Sequence, residues 1–111
     1  MIQVDNKQDL NKELNHNHRV LALFYASWCP YCKSFVPVFN QKIHSFNGGT
    51  AIQVLLDDYD NPLWDDYSIE VVPTLIFFEK DKVCRRLDGE FGVGLSEKQL
   101  IVWLKELKDP S

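Results

Sequence analysis

Long apolar segments separated by polar ones dominate the pattern along the chain. Three of them contain nearly continuous apolar runs: RVLALFYA (residues 19–26), TAIQVLLDDYD (50–60) and VVPTLIFFEK (71–80). Apolar runs of this length without alternation are typical of strands that are buried on both faces of a sheet. A fourth strand, VCRRLDG (83–89), follows a tight turn and predicts an antiparallel hairpin with the third.

Helical spacing connects these strands. Leu10 and Leu14 lie four residues apart in a polar segment and indicate a short amphipathic helix. The apolar positions from Phe35 to Phe46 indicate a second helix, which Pro37 should kink. Ser96 is a natural N-cap for a strongly amphipathic helix at the end of the chain.

With a short helix in NPLWDDYSI (61–69), the predicted order is α-β-α-β-α-β-β-α. Strands that alternate with helices imply parallel pairing, and the hairpin adds an antiparallel part. We therefore predict an α/β fold, with a central mixed β-sheet flanked by helices. The 111 residues and their 45% apolar content suit one core, so residues 1–111 are expected to form a single domain.

Charge narrows the range of partners. Sixteen acidic against twelve basic residues give a net charge of −4, and no basic stripe is present that would suit nucleic acid or an anionic membrane. No segment approaches the roughly 18 apolar residues of a membrane span. We expect a monomer, cytoplasmic if the chain is complete because no signal peptide is visible, with a processed secreted or lumenal form as the alternative.

The candidate chemistry lies in Cys29-Pro30-Tyr31-Cys32, where the first apolar run meets the second helix. Unpaired backbone N–H groups and the helix dipole favour an anion at such a position, and a thiolate is an anion. Cys32 lies three residues further along on the same helical face. It can therefore attack a mixed disulfide formed at Cys29.

A metal site and a structural disulfide explain this pair less well. Structural zinc needs four ligands, and the remaining candidates, His16, His18, His44 and Cys84, are scattered along the chain. A disulfide within four residues would constrain little of the unfolded chain. We therefore predict redox chemistry without a metal or cofactor. We expect Cys84 to be a buried, inert residue, with an accessible thiol that could dimerise or be modified as the alternative.

These residues resemble the thioredoxin family. FYASWCPYCK (24–33) is similar to its active-site segment, Pro37 to its helix-kinking proline, VPTL (72–75) to its cis-proline loop, and Gly89 and SEKQL (96–100) to residues near its end. The resemblance implies a thioredoxin fold and a protein-disulfide oxidoreductase. Cys29 would be the exposed nucleophile and Cys32 the partly buried resolving thiol.

The resemblance also implies substrate-contacting positions and partners. A cis Pro73 would lie beside the pair and leave backbone groups free to bind an extended substrate. The expected substrate-binding residues are Trp28, Pro30, Tyr31, Val72, Thr74 and Gly89. The expected partners are protein disulfides and an electron donor, either a reductase or a small thiol.

Two positions depart from the family. Leu23 stands where thioredoxins usually carry a buried acid that helps to move the proton of the resolving thiol. The acids at 57, 58 and 60 are interpreted as solvated turn residues, with a substitute base among them as the alternative. Pro30-Tyr31 is the dipeptide typical of glutaredoxins, so a glutathione-linked activity, a disulfide-forming activity and a non-catalytic interaction module stay as alternatives to a disulfide reductase.

We predict that the Cys29–Cys32 disulfide has a reduction potential above thioredoxin's value of about −270 mV. Pro30-Tyr31 changes the backbone around Cys29, and a more stable thiolate there makes the disulfide more oxidising. Titration against glutathione or dithiothreitol buffers measures the potential. A value at or below about −270 mV would contradict the prediction.

We also predict that Cys32 resolves a mixed disulfide more slowly than the resolving thiol of a typical thioredoxin does, and that Leu23→Asp or Leu23→Glu accelerates this step. The new carboxylate would accept the proton that Cys32 must lose. Stopped-flow measurement of resolution gives the rates. Equal rates in the wild type and both variants would show that position 23 does not limit this step.

Overall fold

A five-stranded mixed sheet forms the centre of the computed structural model, which describes residues 1–108. The strands are β1 (Ile2–Val4), β2 (Arg19–Tyr25), β3 (Thr50–Leu55), β4 (Thr74–Glu79) and β5 (Lys82–Asp88). The helices are α1 (Lys7–His16), α2 (Pro30–Lys42), α3 (Leu63–Asp66) and α4 (Glu97–Lys108), with a 3-10 turn (Ile43–Ser45) directly after α2.

The strands lie in the order β1-β3-β2-β4-β5, which places β2 in the middle of the sheet. It pairs in parallel with β3 and antiparallel with β4. β1 pairs in parallel with β3, and β5 closes the other edge in an antiparallel hairpin with β4. The mixed sheet predicted from the sequence is therefore confirmed.

Two hydrophobic cores cover the two faces of the sheet. On one face Val20, Ala22 and Phe24 of β2 pack in a cluster with residues of α1 and α3. On the other, Leu21 and Leu23 pack in a cluster with residues of α2 and α4. Burial of successive residues on opposite faces explains why β2 has no polar alternation.

The sequence-based element order missed β1. This strand has only three residues and lies at the edge of the sheet, where it pairs with β3 from Ile2 to Val4. Two of its three residues are exposed, so it carries no continuous apolar run. A segment this short gives no usable periodicity, and the observed order is β-α-β-α-β-α-β-β-α.

The expectation that Cys84 is buried is also wrong. In the β4–β5 ladder Phe78 pairs with Val83 and Phe77 with Arg85, so Cys84 is the additional residue of a β-bulge. The strand is at the edge of the sheet, and the Cys84 side chain is exposed. The apolar neighbour Val83 suggests a buried Cys84, but a residue in a bulge on an edge strand can lie open to solvent.

The predicted N-cap of α4 is present. Ser96 Oγ accepts a hydrogen bond from the Gln99 N–H at 3.2 Å, and Gln99 Oε1 accepts one from the Ser96 N–H at 2.9 Å. This reciprocal arrangement satisfies two backbone donors at the start of the helix. Over residues 1–108, none of the helices is long and apolar enough to cross a membrane.

Candidate active site

The cysteine pair lies where β2 ends and α2 begins. Cys29 is the N-cap of α2, and Pro30 occupies the first helical turn, where the missing N–H of proline removes no helical hydrogen bond. The Cys29 carbonyl accepts hydrogen bonds from the N–H groups of Cys32 and Lys33, both at 3.1 Å. The first turn of α2 therefore holds the two cysteines side by side.

Both thiols are buried. The exposed fraction is 5% for Cys29 and 1% for Cys32. The expectation of an exposed Cys29 is therefore wrong. The chain before Pro73 covers it, and the Cys29 thiol donates a hydrogen bond to the Val72 carbonyl oxygen at 3.6 Å. The Val72 carbonyl therefore lies directly beside the Cys29 sulfur.

The Cys32 thiol is held in its protonated form. Burial raises its pKa to about 12, and the neighbouring Cys29 and the charge of Asp57 also raise it, whereas a backbone hydrogen bond at Ala26 acts in the opposite direction. Leu23 is fully buried in the core on the side of α2 and α4, so position 23 offers no proton acceptor. Cys32 therefore needs another acceptor before it can act as a nucleophile.

The loop before β4 forms the second side of the site. The Val72–Pro73 peptide bond is cis, as the resemblance implies. Thr74 Oγ1 donates to the Val71 carbonyl at 2.6 Å and accepts from the Gly89 N–H at 3.3 Å. A Cβ at Gly89 would overlap the Pro73 carbonyl oxygen, so only glycine allows this close approach.

These contacts give two of the predicted substrate-binding residues a structural role. The Thr74 side chain is buried and bonded on both sides to backbone, so it is not free to contact a substrate. Gly89 packs against the carbonyl of Pro73 but is partly exposed, and its contact with substrate stays a prediction. Both residues support the Val72–Pro73 loop.

Asp57 fixes the loop that precedes Cys29. Its carboxylate accepts hydrogen bonds from the Ser27 N–H at 2.6 Å and the Ser27 hydroxyl at 2.7 Å, and its carbonyl accepts one from the Trp28 indole N–H at 3.0 Å. The interpretation of Asp57 as a solvated turn residue missed these contacts. The signal was available, because parallel β2 and β3 bring their carboxyl ends to one edge of the sheet.

Exposed aromatic side chains border the cysteine pair. Trp28 and Tyr31 are both exposed, as expected for residues that contact substrate. Trp28 packs against Tyr59, with ring centroids 5.3 Å apart, and Tyr59 stacks on Trp64 at 5.5 Å. Sequence reasoning missed Tyr59, since a single aromatic residue in a loop belongs to no periodic pattern.

A short loop borders the pair on the side of Tyr31. Glu90 and Gly94 form an isolated antiparallel bridge, and a Cβ at Gly94 would come within 2.7 Å of the Tyr31 Cβ. Gly94 has a φ of +81°, which also favours glycine. The loop holds Phe91 and Val93 exposed near its tip, and neither residue belongs to a sequence motif that indicates a site.

The other candidate ligands do not converge on the site. His16 and His18 are exposed at and just after the end of α1, and Cys84 lies on the edge strand β5. Within residues 1–108, no group of three or more His, Cys, Asp or Glu side chains is arranged to hold a metal ion.

The chain is similar to known proteins over nearly its whole length. The family model described as Thioredoxin matches residues 1–106. A thioredoxin of Mycoplasmoides gallisepticum is 33% identical over 89 residues, which cover 80% of this chain and 88% of that protein. Protein disulfide-isomerase A5 of Bos taurus is 26% identical over 114 residues, which cover 99% of this chain but 21% of that protein. The chain thus spans about a fifth of the isomerase.

Solved structures show the same fold. A thioredoxin from Plasmodium falciparum has a TM-score of 0.79 at 18% identity, with 96% of this chain and 98% of that one covered. A mutant thioredoxin from Halobacterium salinarum has a TM-score of 0.78 at 24% identity, with 99% and 92% covered. The mixed five-stranded sheet and its flanking helices are therefore a thioredoxin fold.

We predict that Thr74→Val lowers the free energy of unfolding by about 1–3 kcal/mol although valine has a similar shape, because the Val71 carbonyl and Gly89 N–H lose a partner. Urea unfolding measures this loss. Amide hydrogen exchange should show a faster-exchanging Gly89 N–H in Thr74→Val. The matched variant Thr74→Ser keeps the hydroxyl and should preserve that protection, so equally fast exchange in both variants would refute the proposed role of the hydroxyl.

Proposed function

Because this chain belongs to the thioredoxin family, we propose that Cys29 and Cys32 reduce protein disulfides through a mixed-disulfide intermediate. Family membership supports a thiol–disulfide oxidoreductase in general. The observation that carries the finer proposal is the position of Cys29 at the start of α2, beside Cys32 and the Val72 carbonyl.

The first step is the attack of the Cys29 thiolate on one sulfur of a substrate disulfide. The substrate S–S bond breaks, a new S–S bond joins Cys29 to the substrate, and the other substrate sulfur leaves as a thiolate. The N-terminus of α2 supports negative charge on Cys29. The carbonyl of Val72 marks where an extended substrate segment would bind beside the sulfur.

The second step transfers the bond to Cys32. Its thiol loses a proton, the sulfur attacks Cys29, and the substrate leaves as a second thiolate. Two electrons pass from the dithiol to the substrate, two protons pass to its thiolates, and the protein retains a Cys29–Cys32 disulfide. A reductase or a small thiol must then reduce this disulfide to complete a cycle.

Glutathione is a second candidate electron donor or substrate. Pro30-Tyr31 is the dipeptide typical of glutaredoxins, and the Tyr31 ring is exposed next to both cysteines. The same exchange steps would then transfer electrons from the glutathione thiol. A disulfide-forming activity uses these steps in reverse, and the compartment decides between the two directions.

We expect the protein to accelerate insulin reduction by dithiothreitol, measured as turbidity, and Cys29→Ser to abolish the acceleration. Cys32→Ser should accumulate a mixed disulfide with the substrate, detected as a mass increase. Cys84→Ser is the matched control and should retain full activity, since Cys84 lies on β5 away from the site. An interaction module without turnover would show no acceleration by the wild type.

Resolution of the mixed disulfide by Cys32 should depend on pH. The pKa of Cys32 is raised to about 12, so its reactive thiolate fraction increases with pH throughout the range from 7 to 9. Single-turnover resolution of the mixed disulfide should therefore become faster with increasing pH. A pH-independent resolution rate over this range would contradict a Cys32 thiol that must lose its proton first.

A further inference from the structure

A row of three aromatic rings begins beside the nucleophile. Trp28 immediately precedes Cys29, and the row continues through Tyr59 to Trp64 with centroid separations of 5.3 and 5.5 Å. Tyr59 is 72% exposed and Trp28 is 45% exposed. We call Trp28, Tyr59 and Trp64 the aromatic row.

Hydrogen bonds fix the orientation of the two indoles. The Trp28 N–H donates to the Asp57 carbonyl and the Trp64 N–H to the Asp58 carbonyl, each at 3.0 Å. The polar edge of each indole is therefore occupied by the protein itself. What the aromatic row offers to a partner is ring surface, and ring faces carry partial negative charge.

The segment that carries Tyr59 and Trp64 is strongly negative. The segment from residue 57 to residue 66 contains five aspartates, at 57, 58, 60, 65 and 66, and no lysine or arginine. Among the ion pairs of residues 1–108, only that between Asp66 and Lys7, at 3.1 Å, involves this segment. Asp58, Asp60 and Asp65 are all exposed, so the segment that carries two of the three rings also carries negative charge that is open to solvent.

We propose that the aromatic row binds an arginine or lysine side chain of the protein substrate, close to the disulfide that Cys29 attacks. A guanidinium or ammonium group over an aromatic face is attracted by the ring, and the neighbouring carboxylates add ionic attraction. Arginine fits better because its planar group stacks on rings and binds carboxylates through two N–H groups. This inference rests on the proposed function and adds a substrate preference to it.

The length of the aromatic row limits where the cation can be. An extended chain advances about 3.3 Å per residue, so the basic residue should lie roughly two to four positions from the substrate cysteine. The contribution of this contact should depend on salt, because the carboxylates are exposed. An uncharged apolar side chain would gain contact with Tyr59 but nothing from the aspartates.

The test uses disulfide peptides that differ at one position, scanned up to four residues on each side of the cysteine. Each position carries arginine, its uncharged analogue citrulline, or norleucine, and kcat/KM is measured with the wild type. We expect arginine to exceed citrulline by roughly two- to tenfold at one or two adjacent positions. The ratio should fall as NaCl is raised from 20 to 500 mM.

Two variants connect the preference to the aromatic row. Tyr59→Leu removes the ring but keeps apolar bulk, and Asp60→Asn removes one exposed charge, so each should bring the arginine-to-citrulline ratio towards one. Phe91→Leu is the matched control, since it changes an exposed ring on the loop beside Tyr31 and should leave the ratio unchanged. The ratio within one variant is insensitive to a general loss of activity.

The possible outcomes separate the two proposals. Equal kcat/KM for arginine and citrulline at every position, or a preserved ratio in Tyr59→Leu, would overturn the inference while leaving disulfide reduction intact. A preference for norleucine over both would identify an apolar site instead. A wild type that reduces none of the peptides would overturn the proposed function and, with it, this substrate preference.

Discussion

The parallel pairing of β2 with β3 is the constraint on which the active site depends. Its last backbone hydrogen bond runs from the Leu56 N–H to the Tyr25 carbonyl, at 2.7 Å. Directly beyond it, Asp57 reaches the loop of Ser27 and Trp28. Because this loop leads into Cys29 at the start of α2, the position of the nucleophile follows from where the two central strands end.

The same arrangement separates two requirements of the chemistry. Cys29 gains the environment of a helix N-terminus, which favours an anion, although its side chain is almost entirely covered. Cys32, one turn further along, is buried and its pKa is raised. In the proposed reaction, a mixed disulfide at Cys29 would therefore persist until a substrate or solvent group removes the proton from Cys32.

Sequence reasoning succeeded where burial or chemistry produces a pattern among residues that are close together in the chain. The apolar run of β2 is unbroken because both faces of the strand are covered. The spacing of Cys29 and Cys32 at a helix start places both on the same helical face. Sequence reasoning failed where a feature depends on pairing. The bulge at Cys84 follows from the register of β4 against β5, and β1 becomes a strand only through β3.

Asp57 and Tyr59, which sequence reasoning did not place at the site, make contacts that join segments far apart in the chain. Ser27 and Asp57 are thirty positions apart, and Trp28 meets Tyr59 only because β2 and β3 end at the same edge. No local pattern records such a contact. Because the motif fixes the sulfur chemistry while the loop after β3 supplies the charged and aromatic surface beside it, substitutions in that loop could change substrate preference without altering either cysteine.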